Sequence, residues 1–142
     1  MKNIGTWVTV LLVLVTSLSA QNGVLSNQHP PVDSSQQIAD RIVKSDIPVL
    51  LDFWASWCMP CKILDPIIDD LEKEYKGRVL FIKVDVDQLK GLAQHFSVKA
   101  IPSIFIIKDK AVVDASPGVR SKQDYQAALD KVLETSKKKR SD

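Results

Sequence analysis

Cysteine is scarce in this chain of 142 residues: there are two, Cys58 and Cys61, and no third with which a structural bridge could form beside them. Whatever disulfide chemistry the protein performs is confined to this pair. Histidine is equally scarce, and His29 and His95 stand in separate segments, which argues against a closed four-ligand zinc site built on the thiols. Lys62 occupies the place a histidine would need for covalent haem attachment. A strong charge imbalance is also missing. The 19 basic and 17 acidic residues give +2, and Lys2 is the only charge in the first twenty, so the remainder is near +1 and no nucleic-acid or acidic partner is implied. Nor is there a long apolar run: Val8 to Val15, broken by Thr9, falls short of the roughly 20 residues of a comfortable membrane span. With 45% hydrophobic residues the chain can bury one core, so one folded domain is expected.

The two cysteines lie in Leu50-Leu51-Asp52-Phe53-Trp54-Ala55-Ser56-Trp57-Cys58-Met59-Pro60-Cys61-Lys62, where an apolar strand-like run gives way to a helical pattern. On a helix their offset separates the Cα atoms by roughly 5 Å, inside the window of about 4.4 to 6.8 Å that a disulfide needs. The pair can open and close with little backbone movement. At the helix start, unpaired N–H groups and the helix dipole favour the thiolate of Cys58, which makes it the candidate nucleophile. Cys61, one turn inside, is expected to be more shielded and to resolve a mixed disulfide by attacking the Cys58 sulfur. Pro60 is tolerated because the first turn has no acceptor for its missing N–H. Asp52 interrupts the apolar strand Val49 to Phe53. A charged carboxylate is disfavoured there, so its pKa is expected to rise toward neutrality, where it can take up and return protons. A strand-end acid reaching water is the alternative.

These residues resemble the thioredoxin family, with its strand, Trp-Cys-x-Pro-Cys-Lys turn and helix, and the likeness runs from about Ile47 to Leu133. The resemblance implies an α/β fold with a central mixed sheet flanked by helices. It implies exchange with disulfide-containing protein substrates, a monomer, and no cofactor beyond the Cys58–Cys61 disulfide. Asp52 takes the part of a buried proton-transfer group beneath Cys61, and Lys83 that of a nearby charge tuning its proton uptake. Read alone, Lys83 is a lysine snorkelling to a strand edge. The same resemblance makes Ile101-Pro102 a cis-proline loop facing the cysteines, although only about 5% of X-Pro bonds are cis. There the Ile101 backbone can pair with an extended substrate segment. The resemblance also places Trp57 and Gly118 on the substrate-binding surface around the pair. Met59 replaces the family's usual glycine and adds a flexible apolar side chain beside Cys58. Met59 and Pro60 offer neither charge nor side-chain donor, which points to a reducing pair.

The rest of the chain supplies context. Met1 to Ala20 reads as an export signal with Lys2, the apolar Val8 to Val15 and the small-residue end Ser17-Leu18-Ser19-Ala20. Cleavage after Ser19 or Ala20 is expected, and an uncleaved anchor is the alternative. The protein is then periplasmic or secreted, and an exported reductase must draw electrons across a membrane, so a membrane thiol carrier is the expected donor. Residues 21–32 read as a linker, in which Gly23-Val24-Leu25 is the one short candidate for the family's first strand. The folded domain is expected over residues 33–136.

A helix capped by Asp33, Ser34 or Ser35 has Ile38, Ala39, Ile42 and Val43 at helical spacing. A second, from Cys58 to Tyr75, carries Ile63, Leu64, Ile67, Ile68, Leu71 and Tyr75 as its apolar stripe, with Asp65 and Asp69 away from it. Arg78 to Asp87 alternates as a strand, and Leu89 to Phe96 is a short helix. Ile104 to Ile107 and Ala111 to Asp114 form a hairpin whose turn, Lys108-Asp109-Lys110, lacks the family's common glycine. Ser121 caps a last helix, and residues 137–142 are a charged tail. Within the same chemistry the alternatives are a cytochrome-maturation reductant, an oxidase or an isomerase, which usually need added partner-binding segments. In another class they are a metal-binding or redox-inert module, against which both cysteines and Asp52 argue.

Overall fold

Ser34 opens the first helix: its hydroxyl accepts from the Gln37 N–H at 3.2 Å while the Gln37 side chain accepts from the Ser34 N–H, a reciprocal cap for two orphan donors. The computed structural model describes residues 34–141, with side chains to 136. The predicted export segment, the linker and Gly23-Val24-Leu25 lie outside the described residues. α1 (Ser35–Lys44) buries Ile38 and packs Ile42, but Val43, expected on the same face, is half exposed.

Among the described residues four strands form one mixed sheet in the order β2-β1-β3-β4. β1 (Val49–Trp54) pairs in parallel with β2 (Leu80–Asp85) and antiparallel with β3 (Ser103–Lys108), which pairs antiparallel with β4 (Ala111–Pro117). Period-two alternation then sorts the side chains. Leu50, Phe81, Ile104 and Ile106 face a core shared with Leu64, Ile68 and Leu71 of α2 (Met59–Glu74) and Leu129 of α4 (Lys122–Ser141). Leu51, Phe53, Ile82 and Val84 face the other core, with Ile38 of α1 and Leu92 of α3 (Lys90–His95). Each leucine fully buried this way contributes about 1.5–3 kcal/mol.

α2 and α4 are also joined by a polar contact. The hydroxyl of buried Tyr75 donates to Asp130 Oδ1 at 2.9 Å, and the Arg78 guanidinium lies 4.5 Å from the Tyr75 ring centroid. Burial first, and then Asp130, push the Tyr75 phenol up to about 12. On the opposite face Phe53, Phe96 and Phe105 pack tilted and edge-on with centroids 5.3 to 5.5 Å apart, bracing the end of β1 that leads into the cysteines.

Three further local points differ from the pattern read in the sequence. Ile63, placed in the α2 stripe by spacing, is about two-thirds exposed, because the stripe over the sheet is complete with Leu64, Ile68 and Leu71. The β3–β4 turn needs no glycine, since Asp109 and Lys110 both take positive φ, 51° and 66°, as a two-residue hairpin turn requires. The charged tail is not separate from the last helix, whose backbone continues to Ser141.

Candidate active site at the start of α2

Cys58 is the N-cap of α2, with Met59 and Pro60 in its first turn. It is bridged to Cys61, with Cα atoms 5.3 Å apart, close to the separation that helical spacing predicts. The Cys61 N–H donates to Cys58 Sγ at 3.2 Å, which delivers one of the helix's orphan donors to that sulfur. The expected contrast in shielding is absent in this oxidised state: Cys58 is 3% and Cys61 2% exposed. The asymmetry lies in hydrogen bonding instead. A donor at the helix start favours negative charge on Cys58 Sγ.

Asp52 shares its sheet face with Leu50 and Ile104, the face that α2 covers. Burial, the largest influence, raises its carboxyl from 3.8 to about 6; Lys83 opposes the rise, and Asp65 and Asp69 on α2 add to it. The strand-end alternative fails, because the carboxyl is buried. Among the described residues no donor reaches Asp52 Oδ1. Lys83 is the register partner of Asp52 on β2. Its ammonium, however, is hydrogen-bonded to Asp65, with both side chains about one-third to two-fifths exposed, and lies 5.7 Å from the Trp54 ring centroid. Burial works to lower the Lys83 proton affinity, and the bond to Asp65 with the charges of Asp65 and Asp52 outweighs it.

Trp57 and Met59, which flank Cys58 in sequence, are as exposed as Ile63, while both cysteines are buried. The Trp57 indole N–H donates to Asp87 Oδ2 at 2.8 Å. Opposite, the Ile101–Pro102 bond is cis, and Ala55, Cys58 and Cys61 pack with Ile101 and Val86. The Gly118 N–H donates to the Pro102 carbonyl at 2.8 Å, and the Ser103 hydroxyl donates to the Ala100 carbonyl at 2.6 Å, so the loop is tied at both sides. Gly118 has φ +78°, a conformation that costs any other residue strain. A groove of about 340 Å³ runs between Trp57, Ala93, Val98 and Ile101.

The fold thus gathers Asp52, Trp57, Cys58, Met59, Pro60, Cys61, Lys83, Ile101, Pro102 and Gly118 at one end of the sheet and the start of α2. Sequence reasoning missed Asp65 and Asp87. The signal for Asp65 was its place one turn after Cys61, since i and i+4 share a helix face; for Asp87 there was none.

The thioredoxin family model matches residues 31–131. Thioredoxin of Rickettsia felis is 41% identical over 92 residues, spanning 65% of this chain and 88% of the relative. Thioredoxin of Haemophilus influenzae is 43% identical over 81 residues, spanning 57% and 76%. Mitochondrial thioredoxin of Mus musculus is 37% identical over 102 residues, spanning 72% and 61%. From its first described helix into its last, the chain belongs to the thioredoxin family and is a thioredoxin-type disulfide reductase.

Proposed function

We propose that this reductase acts outside the cytoplasm, periplasmic or secreted, on disulfides of exported proteins, as a monomer supplied by a membrane thiol carrier. The observation supporting export is the order of residues in Met1 to Ala20: one lysine, an apolar centre and a small-residue end. In the reduced enzyme the Cys58 thiolate attacks a substrate disulfide, forming a mixed disulfide and expelling one substrate thiolate, which takes a proton from solvent. Cys61 then gives its thiol proton to Asp52 and attacks Cys58 Sγ. The second substrate thiolate leaves, and the Cys58–Cys61 bond of this structure is formed. Two electrons have passed to the substrate, and no cofactor beyond the dithiol takes part.

Trp57, Met59 and Pro60 on one side and Ile101, Pro102 and Gly118 on the other receive the substrate chain, with the Ile101 backbone pairing to it as an added strand. Met59 and Pro60 carry no charge or donor to stabilise the reduced thiolate further, which supports the reducing direction.

Two experiments test the proposal. Fractionation with N-terminal sequencing is expected to recover exported protein beginning at Ala20 or Gln21; full-length protein confined to the cytosol overturns export. Trapping with Cys61→Ser is expected to hold exported substrates and a membrane donor on Cys58. Adducts only with cytosolic proteins refute the assigned partners, and no adducts at all refute Cys58 as nucleophile.

A further inference from the structure

Of the acids whose charges act on Lys83, two act most strongly: Asp65 on α2, to which it is bonded, and Asp52, its register partner across the β1–β2 pair; Asp69 acts less. Satisfying Asp52 would take the ammonium into a buried site, where desolvation offsets much of the attraction. The Asp65 carboxylate is about one-third exposed, so that pair keeps part of its hydration, and the Trp54 ring face lies beside the ammonium. Asp65 holds the lysine. That Asp52 Oδ1 has no donor among the described residues is the other half of the same arrangement.

The groups in the field of Asp52 come from three elements: Lys83 from β2, Asp65 and Asp69 from α2, and Tyr125 from α4. β3 and β4 present uncharged Ile104 and, beyond it, Ser116 in the same row. Among the described residues Lys83 is the one cation of the set. Where its charge rests therefore decides how readily Asp52 keeps a proton. Asp65 stands four residues after Cys61, on the same side of α2, so the helix that carries the resolving thiol also carries the group that restrains the lysine.

We propose that Asp65 is a positioning residue for thiol–disulfide exchange: by binding the Lys83 ammonium at the α2–β2 rim, it keeps that charge off Asp52 and preserves Asp52 as a base for the Cys61 proton. The proposal rests on the reading of Asp52 as that proton's acceptor. In the step concerned, the Cys61 S–H bond breaks and its proton goes to Asp52, the Cys61–Cys58 bond forms, and the mixed disulfide's second thiolate leaves with the electron pair.

The titration of Asp52 can be followed alone in the oxidised protein by carboxyl ¹³C NMR, because the bridged cysteines do not ionise. Asp65→Asn is expected to lower its midpoint by about half a pH unit or more, since it removes a nearby anion and frees an opposite charge to approach. Asp69→Asn, which removes an anion without freeing Lys83, should shift it less. Asp65→Glu should retain the wild-type midpoint. In a Lys83→Met background Asp65→Asn should lose most of its effect.

Release of the second thionitrobenzoate from Ellman's reagent, a stopped-flow measure of the Cys61 step, should follow the same shift in its pH profile. An unchanged or higher midpoint in Asp65→Asn overturns the proposal. So does an equal shift in Asp69→Asn, or a full shift without Lys83, either of which makes the effect one of bulk field. If Asp65→Asn fails to fold, Asp65→Ser carries the same test. Asp52→Asn with an unchanged second release would instead overturn the acceptor role, and with it the part of Asp65 in catalysis, whatever the titration shows.

Discussion

The indole N–H of Trp57 donates to Asp87 Oδ2 at 2.8 Å, joining the residue before Cys58 to the loop after β2 across thirty positions of chain. An exposed ring of this size has several rotamers open to it; the bond selects one of them, and in it Trp57 lines the groove that Ile101 also lines. The loop end is itself held, because the Asp87 N–H donates to Asp85 Oδ1 at 2.9 Å.

Asp87→Ala should therefore raise KM for insulin disulfides about three- to tenfold with little change in kcat, because a freed ring must be ordered on binding. Both partners are exposed, so stability should change by no more than about 0.5 kcal/mol. Steady-state insulin reduction and urea denaturation measure the two. A loss confined to kcat would contradict the binding role of Trp57.

Asp52→Asn should stabilise the protein at neutral pH. The folded carboxyl titrates at about 6 against an ordinary 3.8, so the unfolded chain ionises first as pH rises. Wild-type stability is thus lowered progressively across that window and fully reduced above it, by roughly 3 kcal/mol. The variant should gain up to that amount at pH 7 and almost nothing below about pH 3, read from denaturation midpoints at the two values. Its resolving step should slow by about 100-fold or more, and in the wild type the same step should fade below pH 6 as Asp52 protonates.

Tyr75→Phe removes the hydroxyl that links the end of α2 to Asp130 on α4. The loss should cost about 0.5–1.5 kcal/mol, as for a typical intramolecular hydrogen bond. Insulin reduction below the melting range should be unchanged, because the contact lies at the far end of α2 from Cys58. Equal stability of the two proteins would show that the contact contributes nothing.

Lys110→Gly should raise stability by about 0.5–1 kcal/mol. Lys110 is held at φ 66°, where a side chain carries strain that glycine lacks. The larger backbone entropy of glycine in the unfolded chain takes back part of the gain. Thermal unfolding should shift upward by a few degrees.

The chemistry of the pair was legible because it is local. Three residues of offset, a proline tolerated in the first turn and a helix start after an apolar strand set the Cα separation of Cys58 and Cys61 and put a donor on Cys58 Sγ without reference to the rest of the fold. The alternation read over Arg78 to Asp87 likewise holds, with Val79 and Phe81 in one core and Leu80, Ile82 and Val84 in the other. Where spacing misjudged, as at Ile63 and Val43, it had identified a helix correctly and overestimated how much of its surface the sheet covers. The missing turn glycine was a poor guide for a related reason, since Asp109 and Lys110 take the required backbone themselves.

The amino-acid sequence by itself determined the elements, their buried faces and the pair of sulfurs, since each depends on neighbours within a turn or on alternation along a strand. Tertiary structure alone decided which distant polar groups meet. Lys83 finds Asp65 eighteen residues away and Trp57 finds Asp87 thirty away, and no periodicity encodes either choice. A long flexible side chain with two acids in range settles on the one whose pairing leaves the charge partly in water, and how wet each acid is becomes defined only when α2 closes over the sheet.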